Sequence, residues 1–220
     1  AFSLPFFVEG PYMPNLGRAT QPYRPVVQSE RLGTGHAARM AESLFGDGDV
    51  AILYADNPLI TAQTMHRLLD ARRSGASLSL LGMRPSDPGK YGRLIEENGH
   101  VLRIVEYKDA TEAEREIGLC NAGVMCADAN DFRRWLSELG NNNAQGEYYL
   151  TDVVEMAARS GQVLCVEAPE EELAGVNSRA ELARAEATLQ QRMRQAAMDG
   201  GVTLVAPETV FFSADTQISQ

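Results

Sequence analysis

The sequence predicts an α/β fold built around a mixed, mostly parallel sheet, and two observations lead to this prediction. Short apolar runs typical of buried strands alternate with segments whose apolar residues recur at helical spacing. One stretch departs from this alternation, because Asn98 and Gly99 join two strand-like runs and Asn-Gly strongly favours a two-residue hairpin. We therefore expect an antiparallel hairpin attached to an otherwise mostly parallel sheet.

The predicted elements follow an irregular first segment, residues 1–25, which is rich in proline, glycine and aromatic residues. Strand-like runs occupy residues 25–28, 50–54, 76–83, 117–128 and 162–168, with the hairpin within 91–109. Helical patterns occupy residues 35–45, 61–73, 129–140, 147–161 and 178–198. Leu182, Leu189 and Met193 mark one broad apolar face of the last helix.

Composition and charge narrow the function classes. The chain has 220 residues, is 44% hydrophobic and carries a formal net charge of −10, which argues against a general nucleic-acid-binding surface. It has no apolar run long enough for a membrane span and no basic leader typical of a signal peptide. The spacing of Cys120, Cys126 and Cys165 fits no zinc site, so we expect buried free thiols and a cytoplasmic protein.

One apolar strand ends on a carboxylate, Asp56, followed by Asn57 and Pro58. These residue types favour turns, but ligands also bind at the carboxyl ends of strands in open α/β sheets. Asn177, just before the last helix, likewise allows two interpretations, since asparagine caps helices well. If both strand ends share an edge, a carboxylate and an amide oxygen form a sparse magnesium site that substrate phosphates complete.

A second constellation is the stretch QSERLGTGHA, residues 28–37, in which Gly33 and Gly35 bracket Thr34 before a helix. The glycines permit close backbone approach, and the free N–H groups of the helix suit an anion or a planar polar ring. A simple tight turn explains the stretch equally well. No Gly-Lys-Ser/Thr follows, so the stretch is not a P-loop.

A third constellation consists of a small residue, an acceptor and an amide: Gly92, Glu106 and Asn121. Such a set suits sugar hydroxyls and an acetamido group. Taken singly, a turn glycine, a solvated charge and a polar residue at a strand edge explain them as well. Residue types alone therefore leave nucleotide or sugar binding open.

Taken together, several motifs resemble one family in order and approximate spacing: QSERLGTGHA, LYADNPLI, PGKYGRLI, IVEYKDAT, NAGVM and NNNAQGEYYLTD. They resemble the N-terminal domain of the bacterial bifunctional enzyme with N-acetylglucosamine-1-phosphate uridylyltransferase and glucosamine-1-phosphate acetyltransferase activities. The resemblance runs over residues 26–201, and its last string is the most specific. Residues 1–25 are expected not to match, and residues 202–220 are expected to begin a left-handed β-helix.

The resemblance implies a Rossmann-like nucleotidyltransferase domain that joins UTP and N-acetylglucosamine 1-phosphate with Mg²⁺. The products are pyrophosphate and UDP-N-acetylglucosamine, a precursor of peptidoglycan and lipopolysaccharide. It also implies a homotrimer, provided that a β-helix is present in the natural protein. By residue-level match, the magnesium ligands are Asp56 and Asn177, the nucleotide contacts are Gln28, Gly33, Thr34, Tyr54 and Ala55, and the sugar contacts are Gly92, Glu106 and Asn121.

The family's glycine-rich loop and the lysine after it, which hold the UTP phosphates, have no counterpart in residues 1–25. The basic residues there, Arg18 and Arg24, lack the glycine context. We therefore assign no catalytic residue and expect the chain as given to make little product. Two alternatives stay open, namely an inactive or binding-only fragment of this enzyme and another sugar-1-phosphate nucleotidyltransferase.

Overall fold

The structure, a computed structural model, describes residues 5–11, 13, 20, 22–23 and 25–218, so Arg18 and Arg24 lie outside it. Strands β1 (Phe7–Glu9) and β2 (Pro25–Val27) form a small parallel sheet. Strand β1 lies in the segment that was predicted to be irregular, so that prediction is wrong for these residues. A strand of three residues is too short to show an alternating pattern, and the nearby Pro5 and Gly10 suggested a loop.

The large sheet contains six strands. They are β3 (Asp49–Leu53), β4 (Leu78–Met83), β5 (Arg93–Glu97), β6 (His100–Val105), β7 (Cys120–Asp128) and β8 (Val163–Glu167). Strand β7 pairs antiparallel with β3, β4 and β5, the hairpin strands β5 and β6 are antiparallel, and β4 pairs parallel with β8. The prediction of a mostly parallel sheet is therefore wrong. Hydrophobic periodicity reports burial but not direction, and β7 runs opposite to its neighbours.

Seven α-helices lie within the described residues: α1 (Thr34–Met40), α2 (Ala62–Arg73), α3 (Glu112–Arg115), α4 (Ala129–Glu138), α5 (Asp152–Ser160), α6 (Glu170–Leu173) and α7 (Arg179–Asp199). Short 3₁₀ turns occupy Glu42–Leu44 and Pro207–Thr209. Two helices are capped by side chains, since the hydroxyls of Thr61 and Ser178 accept hydrogen bonds from the backbone N–H groups of Thr64 and Glu181. No helix of the described part is both long and apolar enough to cross a membrane.

Helix α5 starts at Asp152, five residues later than predicted. The preceding residues bond instead to the turn before α1. The N–H of Tyr148 donates to the carbonyl of Leu32 (2.8 Å), and the N–H of Leu150 donates to Oγ1 of Thr34 (3.0 Å). These long-range bonds replace helical ones, so residues 147–151 connect the start of α5 to the start of α1.

Strand β7 is the centre of the core because both of its faces are covered. Met125 and Ala127 face one cluster, in which the rings of Phe132 and Trp135 from α4 are fully buried. Alternate residues of β7 face a second cluster that includes Leu68 of α2. Successive side chains of a strand point to opposite faces, and both faces are covered here, which accounts for the apolar run from Ala122 to Ala127.

The last segment folds back on α7 without forming a strand in residues 202–218, so the expected start of a β-helix is not formed in the described part. The side-chain amide of Gln190 donates to the carbonyl of Phe212 and accepts from its N–H, both at 2.8 Å. Leu182 and Leu189, part of the predicted apolar face of α7, are 57% and 40% exposed. The described part therefore does not cover that face.

The three cysteines are free, and Cys120 and Cys126 are buried as predicted. Burial raises the pKa of Cys126 and of Cys165 to about 12. Thiols with raised pKa values are poor nucleophiles at neutral pH.

Candidate active site

The strand directions bring the predicted ligand positions to one edge of the large sheet. Strands β3 and β4 both run antiparallel to β7, and β8 runs parallel to β4. The carboxyl ends of β3, β4 and β8 therefore meet the amino end of β7. Asp56 follows β3, Asn177 follows β8 after α6, and Asn121 is the second residue of β7.

The hairpin of β5 and β6 adds a wall to this edge. Strand β5 pairs with β7 at its first residue, Arg93 opposite Cys120. The side chains of Leu94, Val101 and Ile104 pack the hairpin into the core. At the base of the hairpin, the N–H of Asn121 donates to the carbonyl of Gly92 (2.8 Å). A Cβ added at Gly92 would lie 3.5 Å from Oε2 of Glu106. The three predicted sugar contacts are thus neighbours in the structure.

Asp56 and Asn177 are brought together around Gly175. A Cβ added at Gly175 would lie 2.9 Å from Oδ2 of Asp56 and 3.4 Å from Nδ2 of Asn177. The N–H of Val176 donates to the carbonyl of Asp56 (2.8 Å) and joins the two loops. Oδ1 of Asp56 is buried and has no hydrogen-bond partner among the described residues. An unpartnered carboxylate oxygen beside an amide fits a magnesium ion that keeps most of its waters.

Two further side chains hold these loops in place, and the sequence did not reveal their roles. Nδ2 of Asn57 donates to the carbonyl of Leu173 (2.6 Å). The hydroxyl of Tyr91 accepts from the N–H of Gly175 (3.3 Å). Asn57 was interpreted only as a turn residue, and Tyr91 only as the start of the hairpin. These contacts join loops more than 80 residues apart in the chain. The residue types alone therefore could not predict them.

The predicted nucleotide contacts Gln28, Gly33 and Thr34 line one cavity of about 440 Å³. Gly33 has φ of 108°, and a Cβ there would lie 2.6 Å from the carbonyl oxygen of Tyr148. Only glycine permits both this backbone conformation and this close approach. Gly33 therefore lets the turn pack closely against Tyr148, and its contact with a nucleotide stays a prediction.

Tyr54 links the nucleotide contacts to the other predicted residues. Burial raises the pKa of Tyr54 to about 12, a hydrogen bond with the Thr34 side chain opposes the shift, and the charges of Glu106 and Asp56 add to it. Its ring packs against Gly123, whose φ of 71° and missing Cβ leave the necessary room. Tyr54 therefore lies between the positions predicted for the nucleotide, the metal and the sugar, and its neighbour Ala55 is exposed.

Glu106 borders a second cavity, of about 400 Å³, whose wall is strongly acidic. The lining includes Arg103, Glu106, Asp109, Tyr149, Asp152 and Glu155. Burial raises the pKa of Glu106, a hydrogen bond from the Thr151 hydroxyl to Oε1 (2.9 Å) lowers it, and the charge of Asp109 raises it. Burial, followed by the charges of Glu106, Glu155 and Asp109, raises the pKa of Asp152 to about 6.

Asn121 completes this side of the site. It is 7% exposed, and its Oδ1 accepts from the N–H of Gly123 (3.1 Å), which leaves its NH₂ group without a protein partner among the described residues. Thr151 and Tyr149 were missed as site residues, although both lie in the string NNNAQGEYYLTD. The sequence analysis used that string only to support the family resemblance. The neighbouring polar residues Thr151 and Asp152, at the start of a helix, could have indicated a site there.

The fold is similar to solved sugar nucleotidyltransferases. One is described as a glucose-1-phosphate thymidylyltransferase from Bacillus anthracis in complex with sucrose, with TM-score 0.64, 18% identity and coverage of 83% of this chain and 74% of that one. Another is a UDP-glucose pyrophosphorylase complexed with UDP-glucose, with TM-score 0.58, 18% identity and coverage of 74% and 71%. At this identity the similarity establishes a Rossmann-like nucleotidyltransferase fold.

No protein-family model matches the chain. Curated relatives are far closer than the solved structures. The bifunctional protein GlmU of Gluconobacter oxydans is 73% identical over 211 residues, which are 96% of this chain and 48% of the relative. The proteins of the same name from Gluconacetobacter diazotrophicus and Acidiphilium cryptum are 60% and 55% identical over 95% and 98% of the chain.

The chain spans about half the length of these relatives. The match to the Acidiphilium cryptum protein covers 98% of this chain, which leaves only about four of its 220 residues unmatched. The similarity therefore extends beyond residues 26–201 into both terminal segments. High identity over nearly the whole chain establishes the relationship. Over nearly its whole length, the chain is therefore similar to about half of a bifunctional protein GlmU.

Proposed function

We propose that this chain provides the site at which a uridylyl group passes from UTP to N-acetylglucosamine 1-phosphate, giving UDP-N-acetylglucosamine and pyrophosphate. The observation that carries the proposal is the convergence of three groups of residues around Tyr54. They are the cavity at Gln28, Gly33 and Thr34, the pair Asp56 and Asn177, and the polar set with Glu106. A nucleotide, a metal and a sugar need such neighbouring positions.

The reaction places few demands on acid–base chemistry. A phosphate oxygen of the sugar phosphate attacks the α-phosphorus of UTP, and the bond from that phosphorus to the bridging oxygen breaks. Its electron pair leaves with pyrophosphate, so no proton has to move. The attacking oxygen is already anionic at neutral pH, and catalysis rests on in-line positioning and on neutralisation of the phosphates.

Asp56 and Asn177 are the residues we propose as ligands of Mg²⁺. Bound there, the ion would supply positive charge for the phosphates of the nucleotide. Tyr54, Thr34 and the exposed Ala55 would hold the nucleotide beside it. Glu106, Asn121 and Gly92 would bind the sugar and its acetyl group through hydrogen bonds.

The wider assignments follow from the same proposal. The product serves peptidoglycan and lipopolysaccharide synthesis, so we propose this chain as part of cell-wall precursor supply. We also propose residues 26–201 as the core of the uridylyltransferase domain. A left-handed β-helix after residue 202, and a homotrimer formed through it, are proposed for the whole protein.

The test uses two proteins: the chain as given, and the same chain preceded by the family's glycine-rich loop, called here the extended protein. Pyrophosphate release is measured with UTP, N-acetylglucosamine 1-phosphate and Mg²⁺. We expect turnover from the extended protein and little from the chain as given. Faster turnover with dTTP or glucose 1-phosphate would favour another nucleotidyltransferase. Binding of UDP-N-acetylglucosamine without any turnover would favour a binding-only protein.

A further inference from the structure

Gln28 lies at the end of β2 and has both hydrogens of its side-chain amide occupied. Nε2 lies 3.0 Å from the carbonyl oxygen of Gly33 and 2.9 Å from Nδ1 of His36. A carbonyl oxygen can only accept, so the nitrogen end of the amide must face Gly33. Oε1 has no hydrogen-bond partner within the described residues, and Gln28 lines the cavity assigned to the nucleotide. Oε1 of Gln28 can therefore accept a hydrogen bond from a ligand in the cavity.

His36 does not line this cavity but contacts Gln28, which does. It lies on α1, where its ring is 6.5 Å from the ring of Tyr148, and the carbonyl of Tyr148 accepts from the N–H of Gly35 (2.8 Å). The imidazole of His36 therefore lies between the amide of Gln28 and the ring of Tyr148. To accept from Gln28, its Nδ1 must carry no hydrogen, which leaves the ring hydrogen on Nε2.

We propose that His36 is a positioning residue for base selection, which holds the Gln28 amide with its oxygen toward the base. This inference rests on the proposed function of the cavity as a nucleotide site. An acceptor at this position binds a base edge that carries an N–H group. Uracil has a hydrogen on N3, whereas N3 of cytosine is an acceptor. The pair His36 and Gln28 therefore favours uracil over cytosine, and loss of the His36 acceptor leaves the amide freer to turn.

The test measures UTP and CTP binding, with Mg²⁺, to the chain as given by isothermal titration calorimetry. The variants are His36→Leu, which removes the acceptor, and His36→Asn, which places an amide oxygen close to the position of Nδ1. The matched control is His66→Leu, on the exposed face of α2. We expect His36→Leu to lower the ratio of UTP to CTP affinity about five- to tenfold, the effect of one hydrogen bond. His36→Asn and His66→Leu should keep the wild-type ratio.

The outcomes separate the inference from the function on which it rests. If wild-type protein binds UTP and CTP equally, the proposed function fails, because there is no preference for uracil that His36 could support. If wild type prefers UTP and His36→Leu keeps the full preference, the role of His36 is overturned while the nucleotide site stands. If His36→Asn loses as much preference as His36→Leu, the acceptor argument is wrong.

A second measurement does not depend on the folding of any variant. In wild-type protein labelled with ¹⁵N at histidine, the shifts of the His36 ring nitrogens report which nitrogen carries the hydrogen. We expect Nδ1 without a hydrogen and Nε2 with one. A hydrogen on Nδ1 in the free protein would overturn the inference, because that nitrogen could not accept from Gln28.

Discussion

The two sides of the candidate site are built differently. On the metal side, Asp56 and Asn177 lie in loops that backbone hydrogen bonds hold together, and Asn177 is exposed. On the sugar side, Glu106, Asn121 and Thr151 lie against the sheet and the start of α5, and Asn121 and Thr151 are buried. The metal side is therefore a junction of loops, whereas the sugar side is part of the packed core.

Charge separates the two sides as well. The sugar-side cavity is lined by Glu106, Asp109, Asp152 and Glu155, and the pKa values of Glu106 and Asp152 are raised. The carboxylates of this cavity would repel a phosphate. They would accept hydrogen bonds from hydroxyl and amide groups. We therefore propose that the neutral part of a substrate lies on the sugar side and that its phosphates lie near a cation at Asp56.

The largest effect is expected from Asp56→Asn, which removes the metal-side carboxylate. In the extended protein, kcat should fall about a hundred- to a thousandfold, because charge neutralisation of the phosphates is lost. Mn²⁺ binding, followed by electron paramagnetic resonance, should weaken in parallel. If the variant bound Mn²⁺ as tightly as wild type, Asp56 would not be a metal ligand.

Glu106→Gln tests the sugar side. We expect KM for N-acetylglucosamine 1-phosphate to rise about ten- to a hundredfold, because a hydrogen bond to a charged acceptor is lost. Mn²⁺ affinity should stay at the wild-type value, since the change lies on the other side of the site. A loss of metal affinity in this variant would mean that the two sides are not separate.

Gly175→Ala tests how closely the loops are packed at the metal side. The added Cβ would lie 2.9 Å from Oδ2 of Asp56, so the carboxylate must move. We expect Mn²⁺ affinity to fall about tenfold, in the range found for changes that shift a metal ligand. Gly118→Ala is the control, because a Cβ there meets no atom within 4 Å. Equal effects from both variants would point to general destabilisation.

The smallest effect is expected on stability, from Asp152→Asn. The folded pKa of Asp152 is about 6, raised from 3.8 by burial and by the neighbouring carboxylates. The folded state therefore holds the proton more tightly, and the unfolding free energy decreases as pH rises from about 4 to 6. At pH 8 the asparagine variant should be more stable by about 1 kcal/mol, a value discounted for solvent screening. Below pH 4 the difference should vanish.

Thermal unfolding at pH 8 and at pH 4 measures this effect. Asp47→Asn is the control, since Asp47 is exposed in the loop before β3. It should change the melting temperature little at either pH. A stabilisation of Asp152→Asn that is equal at both pH values would show that the carboxylate charge is not its cause.

The sequence predicted most elements because their signals are local. The hairpin follows from Asn98 and Gly99, whose φ values of 51° and 80° are those of the expected turn. The position of Asp56 follows from the end of an apolar strand. The direction of β7 and the late start of α5 could not be predicted, because both depend on partners far away in the chain. The contacts of Asn57 and Tyr91 depend on such partners too.

Backbone amide NMR tests the central claim, that the two sides form one site for a uridine nucleotide and an amino sugar. The chain as given would be titrated with UDP-N-acetylglucosamine in the presence of Mg²⁺. We expect the largest shifts to fall together on residues 28–34, 54–56 and 175–177 and on Gly92 and Asn121. Saturating ligand that leaves these signals in place, or that shifts only one of the two sides, would contradict it.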